Sequence, residues 1–143
     1  MNKNVKQNSE NSYFSFKPSD IHHIAIICSN YNTSLRFYLE VVGLELLGEV
    51  YREDRKSWKA DLGLQGKYLI ELFSFPDPPQ RISQPEATGL RHLAFAVQDI
   101  EEAAKHLKNM GVQTEAIRVD EYTKKRFFFF EDPDKLPIEF YAV

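Results

Sequence analysis

The chain has very little cysteine, a single residue at position 28 in 143. No internal disulfide can form, and the thiol usage predicts a cytoplasmic protein held in a reducing compartment. It has no excess of basic residues. Eighteen Lys and Arg stand against 21 Asp and Glu, a net charge of −3, which speaks against a nucleic-acid partner, since such partners favour a basic face. No apolar run approaches the ~20 residues that a membrane-spanning helix requires, so no membrane partner is expected. Met1 to Ser12 contain one valine among Asn, Lys and Ser, and lack the apolar stretch of a signal peptide. Residues 1–19 are therefore expected to form a flexible N-terminal extension, with Tyr13, Phe14 and Phe16 available to dock it.

What the chain does contain is a repetition. His23-Ile24-Ala25-Ile26-Ile27 resembles His92-Leu93-Ala94-Phe95-Ala96. The first string is followed by Ile70-Glu71-Leu72-Phe73, the second by Ile138-Glu139-Phe140-Tyr141. The histidine-to-glutamate separations are 48 and 47 residues. A doubled unit carrying one imidazole and one carboxylate at matched places supplies four metal ligands.

The local signals repeat as well. Ile21–Cys28 is β-branched and apolar and predicts a strand. Asn30 to Thr33 offer helix caps, Leu35, Tyr38, Leu39 and Val42 recur at helical spacing, and Gly43 stands at the C-cap position. Strands are predicted over 44–51, 57–64 and 67–75, with Gln65-Gly66 as a tight turn between the last two. Pro76, Pro78 and Pro79 end regular structure. After a polar linker, a strand is predicted over 89–97 and a helix from an Asp99 cap through Ile100, Ala103, Ala104 and Leu107 to Gly111. Strands follow within 112–119, over 125–130 and over 136–141, the last two separated by Asp132-Pro133-Asp134. Each half is thus strand, helix and three strands. The expected fold class is α+β, two βαβββ modules forming a curved open barrel with helices outside and a cleft on the concave side. The domain is expected at 20–143, with module one at 20–76, a linker at 77–88 and module two at 89–143.

Side chains alternate across a strand. His23, Ala25 and Ile27 share one face and Ile24, Ile26 and Cys28 the other. His92, Ala94 and Ala96 face away from Leu93, Phe95 and Val97. Small alanines next to each imidazole leave room for a ligand. Glu71 and Glu139 interrupt apolar runs, where a carboxylate is costly unless paired, hydrogen-bonded or metal-bound. The candidate metal ligands are His23, Glu71, His92 and Glu139, a shell of two nitrogens and two oxygens for one divalent ion: Ni, Zn, Co or Mn. His22 competes with His23, but the alignment with His92 favours His23 and leaves His22 on the helix side or in solvent. His106 is expected on the helix surface and Cys28 in the core. Arg52, Trp58, Lys59, Tyr122 and Arg126 lie on or beside strands at the mouth, and Arg52, Trp58 and Arg126 are the candidate substrate-binding residues. Phe73 and Phe75 share the Glu71 face, and Phe127 to Phe130 belong to the barrel wall.

These strings, with Ser34-Leu35-Arg36-Phe37-Tyr38 before Gly43-Leu44, and Glu131-Asp132-Pro133-Asp134 before Ile138-Glu139, resemble the vicinal oxygen chelate superfamily of glyoxalase I, bleomycin-resistance and dioxygenase proteins. The resemblance spans Asp20 to Val143. Within the superfamily, extradiol dioxygenases and fosfomycin-modifying transferases use two His and one Glu, bleomycin binders lack the metal set, and bacterial glyoxalase I uses His, Glu, His and Glu. Methylmalonyl-CoA epimerase commonly has Gln where Glu71 stands. The resemblance therefore implies a glyoxalase I-like, metal-dependent lyase or isomerase. Its substrate would be a small oxygen-chelating molecule such as a 2-oxoaldehyde–thiol hemithioacetal, converted through a metal-stabilised enediolate. Glu139 would be the proton-moving base, with Glu71 a ligand or second base. It further implies a homodimer, in which the linker permits modules to be exchanged, so that His23 and Glu71 meet His92 and Glu139 either of the same chain or of its mate. A small-molecule or antibiotic-binding resistance protein and an iron-dependent extradiol-type dioxygenase are the alternatives. One departure is Lys135, where the family's Asp-Pro-Asp-Gly turn has glycine.

Overall fold

The computed structural model describes residues 15–143. Most of the expected N-terminal extension, including Tyr13 and Phe14, lies outside the described residues. Phe16 is exposed, and Asp20 is tied to Lys67 Nζ at 3.0 Å.

Two four-stranded sheets carry the fold. The first contains β1 (Ile24–Cys28), β2 (Glu45–Arg52), β3 (Ser57–Leu64) and β4 (Lys67–Ser74), ordered β1-β4-β3-β2. The second contains β5 (Leu93–Val97), β6 (Arg118–Val119), β7 (Arg126–Glu131) and β8 (Pro137–Ala142), ordered β5-β8-β7-β6. The outer strand of each sequence unit pairs in parallel with the last one, and the rest are antiparallel. Neither sheet closes, so the arrangement is the curved, open α+β one that the repetition implies.

Helices cover one face of the sheets. Helix α1 (Tyr31–Arg36) is capped by the Asn30 side chain, which accepts from the Thr33 amide, and α2 (Ile100–Asn109) by Asp99, which accepts from the Glu101 and Glu102 amides. The α1 stripe differs from expectation. Ser34, Phe37, Tyr38 and Val41 are the buried positions, while Leu35, Leu39 and Val42 are only partly covered. The reason is a wider π-type turn over Phe37–Val41, closed by the Val42 amide on the Phe37 carbonyl at 3.1 Å, which shifts the face turned to the core. The strand expected within 112–119 is reduced to Arg118–Val119 and one bridge from Thr114 to Phe130, in keeping with its polar residues. The hairpin at Gln65-Gly66 forms as expected, both residues having positive φ of 50° and 75°.

One core joins the halves. Ile26, Cys28, Leu62, Ile70 and Leu72 of the first sheet pack in the same cluster as Phe128, Phe130, Ile138 and Phe140 of the second. Cys28 is a core residue, its thiol pushed up to about 11 by burial. At the junction the buried Tyr38 hydroxyl donates to Asp132 Oδ2 at 2.7 Å, and Asp132 Oδ1 accepts from the Asp134 and Leu136 amides at 2.8 Å each. Burial raises the Asp132 carboxyl above its ordinary range, and the Tyr38 and amide hydrogen bonds oppose that shift. Lys135 adopts φ of 69° and keeps the family-like turn, its amide bonded to the Asp132 carbonyl. His106, placed at the helix surface by its sequence position, stays exposed but lies with Nε2 3.1 Å from the Val41 carbonyl across the junction. Among the described residues no helix is long and apolar enough to cross a membrane.

Tyr38→Phe leaves one oxygen of a buried carboxylate without its donor. The expected loss is about 1–3 kcal/mol of unfolding free energy, the usual penalty for such an orphan, read from urea melts against wild type. Unchanged melts would show that the junction does not depend on this bond.

Candidate metal centre

The parallel pairing of first and last strands builds two equivalent sites. In the first sheet Ala25 is in register with Glu71, and in the second Ala94 is in register with Glu139. His23 and His92 stand one residue before their strands, two residues from those alanines and therefore on the same face. The side chains meet as pairs. His23 Nε2 lies 3.9 Å from Glu71 Oε2, and His92 Nε2 lies 3.1 Å from Glu139 Oε2. Both glutamates are well covered and both imidazoles about one-third exposed. The chain alone gathers two pairs rather than four ligands: among the described residues, no group of three or more His, Cys, Asp or Glu is placed to hold an ion.

The donors suit a divalent ion. A separation of 3.1 Å is what two donors adopt on adjacent vertices of an ion with bonds of about 2.1 Å. His92 Nδ1 is buried without a hydrogen-bond partner, leaving Nε2 as the nitrogen that reaches Glu139. His22 is exposed, the second of the two places expected for it, with its Nδ1 2.8 Å from His23 Nδ1 and its ring packed edge-on against Tyr68.

Around Glu71 the sheet register brings a polar cluster. Asp61 is directly opposite Glu71, with Lys59 two residues along. Tyr68 Oη lies 2.8 Å from Glu71 Oε2 and 2.9 Å from Asp61 Oδ1. Lys59 Nζ is 3.3 Å from Glu71 Oε2 and bonds Asp61 as well. Burial would raise the Glu71 carboxyl, but the Tyr68 hydroxyl, Lys59 and His23 outweigh it and hold it below its ordinary range. Sequence reasoning missed Asp61 and Tyr68. The signal was present in the alternation of β3, where Lys59 and Asp61 share a face.

The remaining candidates divide by strand parity. Arg52 does lie on the Glu71 side, its guanidinium over the Phe73 ring at 4.6 Å and the Phe75 ring at 5.5 Å, bonded to Ser57 Oγ, with Nε buried and unpaired. Arg118, which the sequence did not single out, repeats this over Phe127 and Phe129 beside Glu139. Trp58 does not line the cleft. It is on the opposite face, stacked on Tyr31 of α1 with ring centroids 5.2 Å apart. Arg126 is likewise off the Glu139 face and pairs with Glu101 of α2. Tyr122 projects into solvent. A cleft of about 770 Å³ opens beside the second pair, lined by Arg81, Ser83, His92, Arg118, Phe129 and Lys135 among others. The segment after Pro79 forms one wall, held by Arg81 on the Arg91 carbonyl and Ser83 on the Lys135 carbonyl.

Each of the two sheets thus carries one His–Glu pair on its open face. The chain belongs to the Glyoxalase/Bleomycin resistance protein/Dioxygenase superfamily, whose model matches residues 20–140. Members typically bind a divalent metal, commonly pair as dimers, and include many enzymes. The chain is 60% identical to the uncharacterized protein YaeR of Escherichia coli (strain K12) over 121 residues, 85% of this chain and 94% of that protein. It is similar to the crystal structure of a glyoxalase family protein from Enterococcus faecalis, at 46% identity and a TM-score of 0.78, over 86% of this chain and 97% of the other. A 2-epi-5-epi-valiolone epimerase of Actinomyces sp is 26% identical, over 83% of this chain and 76% of the epimerase.

Trp58→Ala is expected to destabilise the fold by about 1–3 kcal/mol through lost aromatic burial, while metal uptake stays at the wild-type level. Urea melts and metal titration test both parts, and weakened uptake in a folded variant would return Trp58 to the site.

Proposed function

We propose that this protein is a metal-dependent lyase or isomerase of the glyoxalase I type. Its substrate would be a small molecule with two vicinal oxygens, such as the hemithioacetal of a 2-oxoaldehyde and a thiol. The observation that carries the reading is the matched pair of His–Glu sites, with an alanine in register beside each glutamate. His23, Glu71, His92 and Glu139 would hold one divalent ion, and because one chain gathers them only as pairs, the first pair of one chain would meet the second pair of a partner chain. The exposed apolar residues Ile27 and Val50, on the Glu71 face, support such a cover.

The bound ion would supply Lewis-acid polarisation of the substrate oxygens. Glu139 moves the proton between adjacent carbons. Its cross-strand neighbour is Phe129 and its Oε2 lies 3.1 Å from His92 Nε2, so among the described residues no lysine, arginine or tyrosine pairs with its carboxylate. Glu71 stays ionised beside Lys59. Arg52 and Arg118, each on an aromatic platform, would hold an acidic end of the substrate. The Actinomyces relative, an epimerase by name, supports proton transfer as the shared chemistry.

Metal-stripped protein reloaded with Ni, Co, Mn or Zn is expected to take up one ion per chain and to isomerise methylglyoxal hemithioacetals. Glu139→Gln should keep the ion and lose at least about 100-fold in kcat, the scale of a lost general base. A loaded protein inactive with every cellular thiol tried removes this reaction; a metal-free protein that binds a drug, or loaded protein that consumes oxygen with catechols, favours the two alternatives.

Mixing inactive His23→Ala chains with inactive His92→Ala chains tests where the site forms. Random pairing of two-fold dimers restores about one quarter of the wild-type sites if the ion is shared across chains. No recovery on mixing, with subunit exchange verified, sinks the shared site.

A further inference from the structure

We infer that Tyr68 is a positioning residue that locks Glu71 as a fixed metal ligand. This rests on the metal-site reading above and deepens it by giving the two glutamates different duties. Every close contact that the structure gives Glu71 falls on one oxygen. Tyr68 Oη at 2.8 Å, Lys59 Nζ at 3.3 Å and His23 Nε2 at 3.9 Å all address Oε2, which leaves Oε1 for another partner. Two donors on one oxygen restrain the carboxylate and leave its second oxygen without a protein donor among the described residues.

The cluster also has the charge a cation needs. Asp61 and Glu71 contribute two negative charges and Lys59 one positive charge, so one negative charge remains beside His23. Tyr68 has one proton for two carboxylate acceptors. Lys59 bridges the same two groups, so neither carboxylate depends on the hydroxyl alone. The rings add to this: His22 and His23 both pack on Tyr68, at centroid distances of 5.3 and 5.0 Å. One tyrosine therefore sets the orientation of the imidazole and of the carboxylate.

The second half has no counterpart. Phe129 stands opposite Glu139 where Asp61 stands opposite Glu71, and Phe127 occupies the place of Lys59. The first pair is held by hydrogen-bond donors, whereas the second is walled by aromatic rings.

The test uses the full chain. In Tyr68→Phe, the affinity for Ni or Zn, measured by competition with a chromophoric chelator, is expected to fall about 10- to 100-fold, the range for lost outer-shell support. At saturating metal, kcat should stay within a few-fold of wild type. In a Glu71→Gln background the same change should cost no further affinity, because Tyr68 acts through that carboxylate. Circular dichroism and melting of the metal-free variant check the fold. If Tyr68→Phe does not fold, Lys59→Met tests the same oxygen, with the same expected direction. Wild-type affinity in the folded variant, or an equal loss in the Glu71→Gln background, overturns the inference and leaves the metal site standing. A wild-type chain that takes up no divalent ion overturns both.

Discussion

Each histidine stands beside its glutamate because the first and last strands of a half run parallel and in one register. Nearly fifty residues of chain separate the two side chains, and neither belongs to a local motif. The ladder that sets Ala25 against Glu71 and Ala94 against Glu139 removes that distance twice. Its consequences are strict, since a slip of one residue would turn Glu71 into the core among Ile70 and Leu72, where an unpaired carboxylate costs several kcal/mol. The apolar residues on the other side of the same strands enforce the register. Ile26, Cys28, Ile70 and Leu72 are buried under the helices, and Leu93, Phe95, Ile138 and Phe140 pack in the same sense. The core therefore positions the site, and the site imposes little on the core.

This is also why so much could be read from the residues. Alternation of apolar and small side chains gave the faces of β1 and β5, and doubling gave the fold. The π-type turn was hidden because an inserted residue leaves the composition of a helix unchanged while rotating its buried stripe to Phe37, Tyr38 and Val41. Trp58 and Arg126 were misplaced by treating nearness along a strand as nearness in space. Each is one residue out of phase with the side chains that share a face with the glutamates. Asp61 and Tyr68 were missed for a different reason. Charges on β3 look like a solvated face until the pairing with β4 sets Asp61 against Glu71, and that pairing depends on a hairpin whose bulge at Leu62 and Gly63 no periodicity announces.

The two halves have kept one geometry and diverged in chemistry. Around Glu71 the neighbours are Lys59, Asp61 and Tyr68; around Glu139 they are Phe127, Phe129 and Tyr141. A polar, hydrogen-bonded wall fixes a carboxylate, whereas an aromatic wall shields it from water and leaves it to its histidine. The arginines follow a common plan, each guanidinium lying over two phenylalanine rings close to its glutamate. Stacking of that kind helps hold each cation in place, alongside one hydrogen bond apiece, from Arg52 to Ser57 Oγ and from Arg118 to Glu115 Oε2.

Under the proposed reading, that divergence acquires its meaning only between chains. A two-fold dimer brings the first half of each chain to the second half of the other, and the same contact occurs twice. A hydrogen-bonded, negatively charged pair then meets an aromatic-walled pair at each of two equivalent sites. Two halves of the first kind would tie up both carboxylates with donors. Two halves of the second kind would leave both without that support. Duplication followed by unequal specialisation supplies both properties with one fold, and it ties the ligand set to the association of the chains: whatever separates the partners also dismantles the site.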